Sequence, residues 1–261
     1  MTAYTYLTLH SAFQDKIAII TLNRPQAHNA LNKQLIQELS TIFTDLSVDD
    51  RLHAVVLTGE GASFCAGADI AMMREAATLS EEQNREEALQ LADLLYTINT
   101  FPCPVLARVN GNAIGGGVGL VAVCDIAIAS MNARFAFSEV KLGLAPAVIS
   151  PYVIRKIGEG NARALFVTGE RFSATRAHSL GLVHAVVPSV ALDDAVQKAL
   201  QELVSSAPQA IRASKTLART VGQLSDESAR TYTAGLIAHL RAGSEGQEGL
   251  SAFLEKRPPR W

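Results

Sequence analysis

The chain has 261 residues, of which 48% are hydrophobic and 18% are charged, a composition typical of a folded globular protein. Its net charge of −2 gives no electrostatic reason to bind nucleic acid or an anionic membrane. The cysteines, Cys65, Cys103 and Cys124, are an odd and widely spaced set, which disfavours a disulfide framework or a zinc site. No secretory leader or membrane span is recognisable, so we expect a cytoplasmic protein.

Predicted strands and helices alternate through residues 1–206. Strands are predicted where β-branched or alternating apolar residues occur, and helices where apolar residues recur at helical spacing. The predicted strands are 6–10, 17–22, 54–58, 105–109, 126–129, 134–137 and 183–187. The predicted helices are 31–47, a helical stretch over 70–99 with a capping box at 80–83, and 161–167, 173–180 and 192–206. This order predicts an α/β core.

The remaining residues, 207–261, are predicted to form three helices with no strand between them. The sequence Ser244-Glu245-Gly246-Gln247 predicts a capping box at the start of the last of these helices. Three helices cannot bury much surface by themselves, so we expect this region to pack on the core or on another subunit.

The run Gly115-Gly116-Gly117 follows a predicted strand and precedes an apolar helix. Glycines at such a turn let a ligand approach the backbone, and the free N–H groups of a helix N-terminus favour negative charge. Glu139 follows in the chain and could move a proton on whatever carries that charge. The run therefore predicts an anion-stabilising turn with a carboxylate as proton acceptor.

A second turn of small residues, Ala66-Gly67-Ala68, follows the predicted strand 54–58 and leads into a helix. Two such turns can aim two N–H donors at one oxygen, which is the geometry that stabilises the enolate of a thioester. Other chemistry is less well supported. Gly117, Gly119 and Ala122 fit a dinucleotide-binding pattern, but two strand-like segments separate them from Glu139.

Hydrolysis by an activated nucleophile and metal chemistry are also disfavoured. There is no G-x-S-x-G motif, and Cys65 is interpreted as an inert buried thiol. The six histidines show no metal-ligand spacing.

Eight short motifs occur in a specific order along the chain: Asn23-Arg24-Pro25, Asn29-Ala30-Leu31, Phe64 to Asp69, Asn110-Gly111, Gly115-Gly116-Gly117, Cys124-Asp125, Glu139, and Gly143 to Pro146. In this order the chain resembles the crotonase (enoyl-CoA hydratase/isomerase) superfamily over nearly its whole length. The resemblance implies a spiral of ββα units with a helical C-terminal oligomerisation region, and a homotrimer or a dimer of trimers. It implies a coenzyme A thioester as substrate and no cofactor.

The resemblance also assigns roles to individual residues. The N–H groups of Ala68 and Gly116 would hold the thioester oxygen, with Glu139 as general acid and base. The implied coenzyme A groove consists of Gln26, Ala27, His28, Ala66, Asp69, Ile70 and Gly115, with Phe253 and Lys256 contributed by the tail of a neighbouring subunit.

One position departs from the pattern, because Gly119 stands where two-base hydratases of the family carry a second glutamate. One carboxylate can serve either hydration or double-bond isomerisation, so both remain open. A non-catalytic crotonase-like binding protein is a third possibility. Residues 137–151 resemble the bacterial methylglutaconyl-CoA hydratase branch of leucine breakdown, and Gly119 would leave room for a methyl-branched acyl group.

A glutaconyl-type substrate carries a second carboxylate, which must stay solvated or meet a cation. The basic residues flanking the predicted pocket are Arg74, Lys141, Arg155 and Lys156. If residues 139–141 are extended, Lys141 points to the same side as Glu139.

Overall fold

The structure is a computed structural model that describes residues 8–14 and 16–261. Its strands are β1 (Leu9–Gln14), β2 (Ile17–Leu22), β3 (Ala54–Gly59), β4 (Ser63–Cys65), β5 (Val105–Val109), β6 (Asn112–Ile114), β7 (Ile126–Ser130), β8 (Arg134–Ala136), β9 (Arg171–Ser173) and β10 (Ala185–Val187). Its α-helices are α1 (Lys33–Leu46), α2 (Ile70–Ala76), α3 (Glu81–Thr100), α4 (Gly116–Val123), α5 (Ser150–Thr168), α6 (Ala174–Ser179), α7 (Leu192–Val204), α8 (Pro208–Thr220), α9 (Asp226–Ala242) and α10 (Ser244–Leu254). Residues 6 and 7 of the first predicted strand lie outside the described residues.

The strands form two sheets that are built by a repeating pattern along the chain. The larger sheet has the order β1-β2-β3-β5-β7-β10 and is parallel except for β1. The smaller sheet has the order β4-β6-β8-β9, with β9 antiparallel. Each of the pairs β3/β4, β5/β6 and β7/β8 gives one strand to each sheet before a helical segment follows. This is the predicted spiral of ββα units, so the α/β fold prediction is confirmed.

The main core fills the space between the sheets and the helices that follow them. Helix α1 shows how the sequence builds it: Leu35, Leu39, Ile42 and Leu46 recur at helical spacing and are all buried. On the other face of the larger sheet, α7 buries a second apolar stripe that includes Leu192. No helix of the described residues is long and apolar enough to cross a bilayer.

Several element predictions need correction. The three-residue strands β4, β6 and β9 were not predicted, whereas the equally short β8 and β10 lie within the longer predicted runs 134–137 and 183–187. Strands this short are defined by pairing with their neighbours and not by their own period. The stretch 70–99 is two helices, and the capping box between Ser80 and Gln83 is confirmed at the start of α3. Helix α5 begins at Ser150 rather than 161, and non-helical backbone at Gly158 divides it.

The C-terminal residues form three helices, as predicted. The capping box at Ser244 is wrong, because Ser244 is already helical, Gly243 is the N-cap, and the Gln247 side chain donates to the Arg241 carbonyl. Helix α8 packs on the core, where Lys215 pairs with Asp125 at 2.7 Å.

Candidate active site

The three predicted site segments meet at one edge of the smaller sheet. Strands β4, β6 and β8 are parallel neighbours, so their carboxyl ends lie side by side. The turn with Ala68 follows β4, the turn with Gly116 follows β6, and Glu139 follows β8. The sequence attributed the first two turns to the longer strands 54–58 and 105–109, whereas the short unpredicted strands position them.

The two small-residue turns are in contact. A Cβ atom placed on Gly67 would lie 2.8 Å from the Ile114 carbonyl oxygen and 3.8 Å from the Gly116 nitrogen. Gly67 has a φ of 91° and Gly115 a φ of 50°, a backbone region in which glycine is strongly favoured. Sequence and geometry therefore agree on why these positions are glycines.

Both turns present an unused N–H group. Leu31 donates to the Gly67 carbonyl at 2.7 Å and Asp69 donates to the Leu31 carbonyl at 2.9 Å, which leaves the intervening Ala68 N–H outside this pairing. Gly116 is the first residue of α4, where a helical N–H has no partner within the helix. In the described part of the chain, neither the Ala68 nor the Gly116 N–H donates to a protein acceptor. Ala68 is exposed, so a ligand can reach it.

Glu139 lies in a 3₁₀ helix, Ser138–Leu142, and its carboxylate is directed at the glycine turn. Its Oε1 atom is 2.9 Å from the position that a Cβ on Gly115 would occupy. Its Oε2 atom is buried and has no hydrogen-bond partner. Burial raises the pKa of this carboxyl, partly offset by a backbone hydrogen bond. A half-buried acid with a raised pKa and an unpartnered oxygen is suited to proton transfer.

Two of the segments predicted to line the coenzyme A groove are adjacent in the structure. Ala66 donates to the His28 carbonyl at 3.0 Å, so the turn after β4 lies beside residues 26–28. Arg24 pairs with Asp69 at 2.8 Å, and this hydrogen bond is the main reason that the pKa of Asp69 is lowered. The side chains of Gln26, His28 and Ile70 are exposed. Buried Asn29 fixes the first segment through hydrogen bonds to the Glu60 and Ser63 carbonyls.

Comparison with known proteins gives the family. A sequence model described as "Enoyl-CoA hydratase/isomerase" matches residues 12–261. The chain belongs to the enoyl-CoA hydratase/isomerase family. A solved structure titled as a putative enoyl-CoA hydratase/isomerase (crotonase) from Legionella pneumophila is 48% identical, with a TM-score of 0.92 over 97% of this chain and 98% of that one.

Two curated relatives are similar over most of their length. A putative enoyl-CoA hydratase from Thermus thermophilus is 37% identical over 94% of this chain and 97% of its own. The 2,3-dehydroadipyl-CoA hydratase of Escherichia coli is 34% identical over 94% of this chain and 95% of its own.

In this family member, the space beside Gly119 is not free. A Cβ on Gly119 would collide with Ile149 Cγ2 and would lie 3.6 Å from Leu95 Cδ1. Both side chains are buried, so the hypothesis that Gly119 by itself leaves room for a branched acyl group is wrong. Sequence reasoning also missed Leu31, whose Cδ1 would lie 2.9 Å from a Cβ on Gly116. Leu31 belongs to the Asn29-Ala30-Leu31 motif and Ile149 lies within residues 137–151, so the sequence marked both segments but not these two contacts.

Other predicted residues have mixed outcomes. Cys65 is buried and burial raises the pKa of its thiol to about 12, which agrees with an inert thiol. Lys141 shares the 3₁₀ helix of Glu139, so the extended segment that would point both side chains the same way is wrong. Phe253 is 81% exposed near the end of α10, and Lys256 follows that helix. Their contact with coenzyme A in a neighbouring subunit stays a prediction.

The raised pKa of Glu139 has a consequence for stability. Because folding raises the pKa of Glu139, the folded state binds the carboxyl proton more tightly than the unfolded chain does. Above the folded pKa, the folded state therefore carries the cost of a partly buried carboxylate. That cost disappears as the pH falls through the raised pKa. We therefore expect Glu139→Gln to unfold at a higher temperature than wild type at neutral pH, with the difference shrinking in acid. Thermal unfolding measured against pH checks this, and Glu86→Gln, at an exposed position, serves as control.

The contact between Gly119 and Ile149 predicts a packing effect. Gly119→Ala should lower the free energy of unfolding by about 1–3 kcal/mol, since overpacking outweighs the gain in helix propensity. Gly160→Ala is the matched control, because a Cβ at Gly160 meets nothing within 4 Å. Denaturant unfolding should show a smaller loss for Gly119→Ala in an Ile149→Ala background; equal losses in both backgrounds would contradict the contact.

Proposed function

We propose that the chain hydrates 2-enoyl-CoA thioesters with Glu139 as its single general acid and base. The observation that carries the proposal is the buried, unpartnered oxygen of Glu139 beside a turn with free N–H groups. The thioester oxygen would accept hydrogen bonds from the Ala68 and Gly116 N–H groups, which stabilise the negative charge that develops there.

The reaction then needs one carboxylate in two roles. Glu139 takes a proton from water as the water oxygen bonds to C3, and the electrons of the double bond move toward the thioester as an enolate. The protonated Glu139 returns that proton to C2, which restores the carboxylate and gives the 3-hydroxyacyl thioester. The raised pKa of Glu139 supports this sequence, because the acid must accept and release a proton near neutral pH.

Isomerisation of a 3-enoyl thioester is the second candidate. Its support is the same lone carboxylate, since moving a double bond needs one base that carries a proton between C4 and C2. Burial is the main cause of the raised pKa of Glu139, and Gly119 stands where two-base hydratases carry a second glutamate, which fits a one-base site for either reaction.

For the acyl group we propose a short branched diacid, with methylglutaconyl-CoA of leucine breakdown as the leading candidate. Support comes from the motif in residues 137–151 and from the Escherichia coli relative, whose named substrate, 2,3-dehydroadipyl-CoA, is also a diacid thioester. Among the four flanking cations, Lys156 is largely committed elsewhere, because its Nζ donates to the buried Cys124 carbonyl at 3.0 Å. Arg74 is exposed on α2, the helix that follows the Ala68 turn.

Arg74 is therefore our choice for the cation that meets the second carboxylate. We expect Arg74→Gln to lower kcat/KM for methylglutaconyl-CoA by about tenfold or more, the scale of one charge-assisted hydrogen bond, and to leave crotonyl-CoA unaffected. Arg85→Gln, at an exposed position on α3, is the control. Equal effects of Arg74→Gln on both substrates would remove Arg74 from substrate recognition.

A panel of enoyl-CoA esters tests the function as a whole. Purified protein is assayed on crotonyl-CoA, methylglutaconyl-CoA and a 3-enoyl-CoA, with hydration and isomerisation scored separately by product analysis. The proposal expects hydration, fastest on methylglutaconyl-CoA. Faster isomerisation would favour the second candidate, a preference for crotonyl-CoA would refute the diacid, and binding without turnover would show a non-catalytic protein.

We also propose that the chain acts as a homotrimer or a dimer of trimers in the cytoplasm, without a cofactor. The exposed Phe253 and Leu254 on α10 support an interface there, since large apolar side chains clustered at a surface favour association. The mass in solution, measured by light scattering, tests the assembly.

A further inference from the structure

A cavity of 510 Å³ lies between the C-terminal end of α3, the start of α5 and the end of α8. This volume is within the range of small-molecule sites in proteins. Its lining is rich in hydrogen-bond donors: Tyr96, Asn99, Tyr152, Arg155, Arg219 and Gln223. The catalytic candidates Glu139, Ala68 and Gly116 do not line it. It is therefore separate from the proposed catalytic site.

The charge of this cavity is one-sided. Two guanidinium groups, Arg155 and Arg219, line it, and no Asp or Glu is among its lining residues. In the described part of the chain, the Arg155 guanidinium makes no ion pair or hydrogen bond, and the Arg219 guanidinium donates only to the Asn99 carbonyl, at 3.2 Å. A surface arginine is usually isolated from other arginines and contacts water or one carboxylate. Here two arginines line one concave site, and the nearby Asp93 carboxylate, which also acts on Tyr152, is not among the lining residues, so the lining carries a net positive charge.

The chemistry of the lining groups favours a particular kind of ligand. Arg219 is partly buried and held at the Asn99 carbonyl at the end of α3, so part of its guanidinium is already oriented. The phenol groups of Tyr96 and Tyr152 add donors and flat apolar faces at the same cavity. Guanidinium groups match the planar or tetrahedral arrangement of oxygens in carboxylates and phosphates.

We propose that this cavity is a binding site for a small organic anion that carries a carboxylate or phosphate group. Arg155 and Arg219 would bind its oxygen atoms, and Tyr96 and Tyr152 would contact its body. Arg155 is one of the four basic residues considered above, but Arg74 is our choice for the second carboxylate of the substrate. The anion site therefore does not depend on the acyl-CoA chemistry, and failure of one leaves the other standing.

Calorimetric titration of the wild-type protein tests the site, with inorganic phosphate and benzoate as probes. Phosphate reports the oxygen-binding groups alone, whereas benzoate also offers a flat face to the tyrosines. Each titration is repeated in saturating coenzyme A, which occupies any competing phosphate site in the groove. We expect saturable binding of at least one probe that coenzyme A does not abolish. Stronger binding of phosphate than of benzoate would identify a phosphate ligand, and the reverse a carboxylate.

Substitutions then locate the bound anion. Arg155→Gln and Arg219→Gln should each weaken binding about tenfold or more, as expected for loss of one charge-assisted hydrogen bond. Arg163→Gln, on the same helix as Arg155 but not lining the cavity, should bind like wild type. The proposal is overturned if neither probe binds, if coenzyme A abolishes binding, or if the three variants behave alike. It is also overturned if Arg155→Gln changes the mass in solution but not anion binding, because the cavity would then receive a second copy of the chain.

Discussion

Replacing Glu139 by Gln is expected to lower kcat for enoyl-CoA hydration by about 10²–10⁴-fold, the range of general acid–base catalysis. The loss should lie near the top of that range, because the same carboxylate serves both proton steps. The amide keeps the size of the side chain, so KM should change little. Steady-state kinetics on crotonyl-CoA measure both quantities.

The stability of the Glu139→Gln variant is the control for its rate. Glu139→Gln is expected to be no less stable than wild type at neutral pH, so a low rate cannot be attributed to unfolding. A variant that keeps more than about a third of the wild-type kcat would contradict the role of Glu139 as general acid and base, since such a small loss is far outside the expected range.

Replacing Ala68 by Pro is expected to lower kcat by about 10²–10³-fold, the cost of one lost oxyanion donor. Proline removes the N–H that should bind the thioester oxygen. The flanking hydrogen bonds use the Gly67 carbonyl and the Asp69 N–H, so the substitution deletes no hydrogen bond among residues 8–14 and 16–261. Kinetics and thermal unfolding of the purified variant should be measured together, because the proline ring also restricts Gly67.

Ala68→Val is the matched variant, since it adds volume and keeps the N–H. We expect it to be milder than Ala68→Pro on kcat, although it can raise KM if the added methyl groups narrow the groove. Equal losses of kcat in both variants, with both proteins folded, would assign the effect to steric hindrance and not to the hydrogen bond.

The catalytic candidates were easier to predict from the sequence than the short strands that align them. Glycines at 67 and 115 and a carboxylate at 139 reflect local requirements of close approach and charge, which single residues express directly. The strands that align them, β4 and β6, have three residues each and are defined by pairing with their neighbours, which sequence periodicity does not reveal.

Long-range packing explains the other differences. Ile149 is far from Gly119 in sequence, and only the fold shows that its side chain fills the space beside that glycine. The 3₁₀ helix at Glu139 likewise depends on its surroundings: the N–H of Leu144 donates to the Glu139 carbonyl, and Gly143 ends the helix in a left-handed conformation. Residue type alone predicted neither the direction of Lys141 nor the closed space at Gly119.

The most direct test of the central claim is a crystal structure of the wild-type protein with an unreactive acyl-CoA thioester. The thioester oxygen is predicted to lie about 2.7–3.1 Å from both the Ala68 and the Gly116 nitrogen atoms. The Glu139 carboxylate should lie within about 3–3.5 Å of C2 or of a water molecule beside C3. A thioester oxygen far from both nitrogen atoms, with Glu139 facing neither carbon, would contradict the account.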